Sequence, residues 1–198
     1  MEHASIASFG QFALQLLALG APAELVEQAH VAALDEIEHA RICFALASAY
    51  GGQRVGPGPL DAVTGGFSSE WRAVVCANVE EGCVGETLSA LEATEAARRA
   101  TDPAVQAALD AVAFDEEQHA QLAWAVWGWA LGVAPEVREA SETAFEHALA
   151  GTRAGLPNDA AGRELEPHGR LANSTRRALA LRNIDEVLIP AMKRLLTP

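Results

Sequence analysis

Two copies of one short motif carry residue types that are well suited to metal chemistry. The copies are 80 residues apart: positions 33–40 read Ala-Leu-Asp-Glu-Ile-Glu-His-Ala, and positions 113–120 read Ala-Phe-Asp-Glu-Glu-Gln-His-Ala. Residues three apart lie on one face of a helix, so Glu36 and His39 can bind one metal ion together. Glu116 and His119 can bind another in the same way. Because carboxylate and imidazole ligands suit iron or manganese, the repeat predicts two metal half-sites.

The Glu-x-x-His spacing alone is weak evidence, and a third match shows why. The chain has 27 acidic residues and 6 His, so such pairs arise easily by chance. Glu27 and His30 form one nine residues before Glu36, which places them on the opposite side of the same helix. We predict that Glu27 and His30 face solvent, as acidic and His residues of amphipathic helices usually do. The shared Asp and Ala of the two repeated motifs set them apart from this pair.

A di-metal bundle also needs one more Glu from each of two other helices. In an antiparallel hairpin with its turn near residue 20, Glu2 is the acid that faces Glu36. In a hairpin with its turn near residue 101, the acids that could face Glu116 are Glu80, Glu81 and Glu86. The separation of Glu81 from Glu116 is 35 residues, which best matches the 34 residues between Glu2 and Glu36. Glu81 also shares a helical stripe with Trp71, Val74, Asn78, Gly85 and Leu88. We therefore prefer Glu81, with Glu80 and Glu86 as alternatives.

The elements that must position these residues are helices. The chain is rich in Ala and poor in β-branched and aromatic residues, which favours an all-α fold. Gly and Pro clusters predict helices over about 1–19, 22–50, 68–100, 101–131, 135–150 and 174–196, with Thr101 or Asp102 as an N-cap and a kink at Pro190. Two hairpins joined by the long connection 51–66 indicate a ferritin-like four-helix bundle over residues 1–131. We expect residues 132–198 to form two further helices that pack on it.

On these residues the chain resembles the ferritin-like di-iron carboxylate proteins, a group that includes bacterioferritin, rubrerythrin and di-iron oxidases and oxygenases. The resemblance covers about residues 1–131, and the matching residues are Glu2, Asp35, Glu36, His39, Glu81, Asp115, Glu116 and His119. A narrower resemblance, over residues 81–87 and 187–196, is to bacterial ferritin-like domain proteins to which no reaction is assigned.

The resemblance implies a role for each of these residues around two iron ions, with manganese or a mixed Fe/Mn pair as alternatives. Glu36 and Glu116 would bridge the metals, and Glu2 and Glu81 would be terminal ligands. The Asp that precedes each bridging Glu would accept the free imidazole N–H of a His, in a crossed pairing of Asp35 with His119 and Asp115 with His39.

Some features depart from the pattern of this group. Glu2 lies next to the start of the sequence, whereas the group places this ligand in the middle of a helix. Either the first helix is truncated, or the last helix or a partner subunit covers the gap. Gly85 and Glu86 are candidates for the wall of a pocket beside the metals. We expect Cys43, Cys76 and Cys83, which lack CxxC spacing, to fill core positions in a reducing compartment.

Charge and hydropathy restrict the partners. The formal net charge of −13 disfavours nucleic acid, because phosphates would be repelled. No apolar run is long enough to span a bilayer, and the first residues, Met1-Glu2-His3, lack the basic region of a signal peptide. The expected location is therefore the cytoplasm, with no membrane partner.

The expected function is an O2-dependent oxidase or oxygenase that acts on a small organic substrate. It would also use an electron donor, and a homodimer is the expected assembly. The alternatives are a ferroxidase or iron-storage protein, which would need a self-assembling shell, and a helical interaction module without catalysis.

Overall fold

Among residues 2–60 and 66–197, which the computed structural model describes, every regular element is helical, and the predicted all-α fold is confirmed. The α-helices are α1 (Glu2–Ala18), α2 (Ala23–Gly51), α3 (Trp71–Ala77), α4 (Thr87–Arg99), α5 (Pro103–Val133), α6 (Arg138–Gly155), α7 (Asn173–Asn183) and α8 (Ile189–Leu196). The other elements are the π-helices Asn78–Glu86 and Ile184–Leu188 and the 3-10 helices Pro135–Val137 and Arg163–His168. No helix in the described part of the chain is long and apolar enough to cross a membrane.

The chain divides into two compact units, Met1–Val74 and Val75–Pro198. The predicted bundle of residues 1–131 spans both units, so the bundle and its extension over 132–198 stay predictions. The expected long connection also includes residues 61–65, which lie outside the described residues.

The first unit is built on a hairpin of α1 and α2. Gly20, with φ of +73°, allows the tight reversal between them because glycine adopts this conformation without steric cost. The two helices pack against each other through apolar side chains that recur at helical spacing: Phe9, Ala13, Leu16, Leu25, Ala29 and Ala32 are buried. Glu36 and His39 continue the buried face of α2, so the pattern that forms the core also carries the motif.

The second unit is built on a hairpin of α4 and α5. The predicted N-cap is confirmed at Asp102, whose carboxylate accepts a hydrogen bond of 2.8 Å from the backbone N–H of Ala104. The first π-helix joins α3 and α4 without a break and packs against α5 and α6. The indole of Trp127 is fully buried and donates a 2.9 Å hydrogen bond to the Ser141 hydroxyl, which ties α5 to α6.

The predicted loop between the last two helices contains the 3-10 helix Arg163–His168. Glu166 holds this segment in place by accepting hydrogen bonds from the Thr175 hydroxyl at 2.6 Å and from Arg99 at 2.8 Å. These donors stabilise the ionised carboxylate, and the pKa of Glu166 is lowered, mainly by the bond from Thr175.

The last predicted helix is interrupted before Pro190. The π-helix Ile184–Leu188 lies between α7 and α8, and Pro190 is in the first turn of α8. Proline has no backbone N–H and its ring crowds the preceding turn, which is a physical reason for the wider turn at this place.

Gly169 provides a test of the packing around the 3-10 helix. Its φ is +82°, and an added Cβ would lie 2.7 Å from Leu109 Cδ1 and 2.8 Å from Val105 Cγ1. Gly162 has a similar φ of +84°, but an added Cβ there would meet its nearest atoms at 3.8 Å. Both Gly→Ala variants incur backbone strain of about 1–2 kcal/mol. Gly169→Ala adds crowding of about 1–3 kcal/mol, so urea unfolding should show it as clearly the less stable variant. Equal stabilities would contradict this packing.

Candidate metal centre

The first cluster of ligand atoms lies within the first unit. Glu36 and His39 on α2 and Glu2 in the first turn of α1 each offer one ligand atom, and these atoms lie within 4.8 Å of one another. The Nδ1 atom of His39 is 3.6 Å from Oε1 of Glu36. Glu36 and His39 are each only 1% exposed, and Glu2 is half-buried. The hairpin turn thus brings the start of α1 beside the middle of α2, as predicted.

The second cluster lies within the second unit and has the same composition. Glu116 and His119 on α5 and Glu86 at the end of the first π-helix offer ligand atoms within 4.8 Å of one another. The Nδ1 atom of His119 is 3.8 Å from Oε2 of Glu116. Glu116 is 4% exposed, His119 is 2% exposed, and Glu86 is half-buried. In both clusters the same ring nitrogen therefore faces the Glu of its own motif.

The composition of each cluster suits a divalent metal ion. Two ionised carboxylates and a neutral imidazole sum to a charge of −2, which one divalent cation would neutralise. The His–Glu separations of 3.6 and 3.8 Å exceed the length of a hydrogen bond. Two ligand atoms that each lie about 2.1 Å from one ion are about 3.0–3.4 Å from each other. A small movement would therefore allow the Glu and the His of each pair to bind the same ion. Oxygen and imidazole donors without a thiolate fit iron, manganese or zinc.

The structure differs from the preferred choice of Glu81. Glu80 and Glu81 are both exposed, and Glu86 is the acid that lies beside Glu116 and His119. The reason is the nine-residue π-helix Asn78–Glu86, which contains all three acids. A π-helix has hydrogen bonds from i to i+5, so counting at 3.6 residues per turn assigns the wrong face to residues within it.

Other predicted positions can be read directly from the burial of the side chains. Glu27 and His30 are exposed, which confirms that this third Glu-x-x-His pair lies in solvent. Asp35 and Asp115 are both half-buried next to their glutamates. Their crossed pairing with the His residues would join the two units and stays a prediction.

The three cysteines do not share one environment. Cys83 is buried, and burial raises the pKa of its thiol well above the usual value. Cys76 is half-buried, whereas Cys43 is exposed, so the expectation that all three fill the core is wrong for Cys43.

Polar side chains that the sequence did not mark as functional hold the second cluster's π-helix on α5. Asn78 is 6% exposed and donates a 2.9 Å hydrogen bond from Nδ2 to the backbone carbonyl of Ala123. At the other end, Trp124 donates a 3.2 Å hydrogen bond from Nε1 to the Thr87 hydroxyl. The available signal was that Asn78 lies on the same helical stripe as the apolar residues Trp71, Val74 and Leu88.

No protein-family model matches this chain, and neither does any curated protein or any solved structure. The described residues establish an all-helical chain with two carboxylate–histidine clusters, each of which could hold a metal ion.

The choice between Glu86 and Glu81 can be tested with a matched pair of variants. Glu86→Gln removes the charge of a cluster residue, whereas Glu81→Gln makes the same change at an exposed position five residues away in the same π-helix. We expect Glu86→Gln to weaken Co²⁺ binding at the second cluster at least about tenfold, and Glu81→Gln to bind as the wild type does. Calorimetric titration measures both affinities. If Glu81→Gln weakened Co²⁺ binding and Glu86→Gln did not, Glu81 would be the ligand instead.

Proposed function

We propose that the two clusters are the halves of one di-iron carboxylate centre, and that the protein is an O2-dependent oxidase or oxygenase for a small organic substrate. The observation that carries the proposal is the repetition itself. The two clusters contain the same three residue types. The Glu and His of one motif lie 80 residues after those of the other. In both clusters Nδ1 of the His faces the Glu of the same motif. Unrelated structural salt bridges would have no reason to repeat in this way.

The charge of the two clusters supports a pair of ions rather than one. Four carboxylates and two neutral imidazoles sum to −4, which matches two divalent cations. Each cluster alone offers three ligand atoms, and a catalytic metal site keeps further positions open or shared. If Glu36 and Glu116 each contact both metals, as the resemblance to di-iron carboxylate proteins implies, each ion gains a further ligand without any additional residue.

The residues of the chain would then have separate tasks. Glu2 on α1 and Glu86 on the first π-helix would each hold one ion. His39 on α2 and His119 on α5 would each add an imidazole ligand. Glu36 and Glu116 are 1% and 4% exposed, and their burial would keep bulk water away from the ions. When bound, two ferrous ions supply the electrons that reduce dioxygen. Glu86 is half-buried, so this ligand would remain partly exposed.

The number of iron ions that each chain binds, and the number at which binding saturates, test the proposal. Protein purified from iron-supplemented cells should contain about two iron per chain, and further Fe²⁺ added in air should not be retained. Uptake of many more iron ions, in a large shell-like particle, would support storage instead. Absence of bound metal would leave the helical interaction module as the better explanation.

Substitutions in the two motifs test whether the clusters bind this iron. Glu36→Ala and His119→Ala should each lose most of the bound iron while circular dichroism shows intact helices. Glu27→Ala and His30→Ala are matched controls, because they alter an exposed pair with the same Glu-x-x-His spacing on α2. Atomic absorption measures the iron. Full iron content in both cluster variants would refute the assignment.

A further inference from the structure

The first π-helix contacts α5 at a point where the Cβ of Ala123 leaves no room for a second Cβ at position 82. An added Cβ at Gly82 would lie 2.6 Å from the Cβ of Ala123, a distance shorter than real Cβ contacts. Ala123 is 3% exposed and lies on α5 four residues after His119. While position 123 carries a Cβ, the π-helix can therefore approach α5 this closely only with glycine at position 82.

The same contact carries a buried hydrogen bond. The Nδ2 of Asn78 donates to the carbonyl oxygen of Ala123 at 2.9 Å. In a regular α-helix that carbonyl already accepts from the N–H four residues later, so Asn78 uses its second lone pair. Asn78 and Gly82 thus meet the same residue of α5, which fixes both the distance and the register of the π-helix against it.

A second pair of hydrogen bonds holds the other end of the π-helix. The Thr87 hydroxyl donates to the carbonyl of Cys83 at 2.6 Å and accepts from the Trp124 indole at 3.2 Å. Trp124 follows Ala123 directly, so both ends of the π-helix are attached to neighbouring residues of α5. Glu86 lies between Gly82 and Thr87, inside the segment that these contacts hold.

We propose that Asn78 and Gly82 are positioning residues for the second metal half-site, because they set the register that presents Glu86, rather than Glu81, to Glu116 and His119. This inference depends on the proposed metal site. In a regular helix or a shifted register, Glu86 would leave the cluster, since a change of one residue rotates a helix position by about 100°. Asn78 and Gly82 are not among the grouped ligand residues, so they would act through the π-helix that carries Glu86.

The test measures Co²⁺ affinity and the visible Co²⁺ spectrum, which reports coordination geometry, together with thermal unfolding of the metal-free protein. Gly82→Ala and Asn78→Ala should each weaken binding about 10- to 100-fold and alter the spectrum. Gly132→Ala is the control for a Gly→Ala change in a helix, because an added Cβ there meets no atom within 4 Å. It should bind Co²⁺ as the wild type does.

A methyl exchange across the contact separates positioning from a loss of stability. In the double variant Gly82→Ala/Ala123→Gly the new Cβ no longer faces the Cβ of Ala123, so affinity and spectrum should return toward wild type. Ala123→Gly alone should keep the wild-type spectrum even where it lowers the unfolding temperature. Wild-type affinity in Gly82→Ala and Asn78→Ala would overturn the inference, as would a failure of the exchange to restore binding.

The same titrations distinguish failure of this inference from failure of the proposed function. If the wild-type protein binds Co²⁺ and Glu86→Gln weakens binding but Gly82→Ala does not, only the positioning role is wrong. If the wild-type protein binds no Co²⁺, both the metal site and the positioning role are wrong.

Discussion

A Glu and a His three residues apart on a buried helical face impose a strong constraint on the chain around them. Both groups are polar and one carries a charge, so their burial is costly unless the surroundings provide a compensating partner. In this chain the constraint occurs twice, at Glu36 with His39 and at Glu116 with His119, and each time another helical segment contributes a further acid. A divalent cation in each cluster would balance two carboxylates and use the imidazole as a neutral ligand. The core, the turns and the irregular helix are best understood as the means of holding these groups together.

The two halves satisfy this constraint by different local structures. In the first unit α1 and α2 are regular, and Glu2 reaches its partners because the turn at Gly20 aligns the start of α1 with the middle of α2. In the second unit the corresponding acid comes from a π-helix of nine residues. Such a segment is rare and often marks a functional position. Its attachment to α5 through Ala123 and Trp124 shows how this irregularity is stabilised.

Those features that follow from local chemistry could be predicted from the sequence. Asp102 was recognisable as a helix cap because its carboxylate needs only a nearby backbone N–H. Glu36, His39, Glu116 and His119 were recognisable because α2 and α5 are regular helices with 3.6-residue periodicity. The solvent position of Glu27 and His30 followed from the same periodicity.

The features that the sequence did not predict depend on tertiary contacts. No amino-acid composition distinguishes a π-helix from an α-helix. This π-helix forms where Gly82 allows close approach to α5 and where Asn78 donates a hydrogen bond to a carbonyl of α5. Glu86 therefore appeared as an alternative to Glu81 rather than as the first choice. The exposure of Cys43 is a similar case. Cys43 lies seven residues after Glu36, so helical periodicity predicts the buried face, and its exposure depends on tertiary packing around α2.

The proposal that the two clusters bind two iron ions is the central claim, and anomalous diffraction at the iron absorption edge tests it most directly. Crystals grown with Fe²⁺ should show two anomalous peaks per chain, one beside Nδ1 of His39 and the other beside Nδ1 of His119, both in contact with Glu36 and Glu116. A single peak, peaks far apart that share no carboxylate, or a peak at the exposed Glu27 and His30 pair would contradict the di-iron centre.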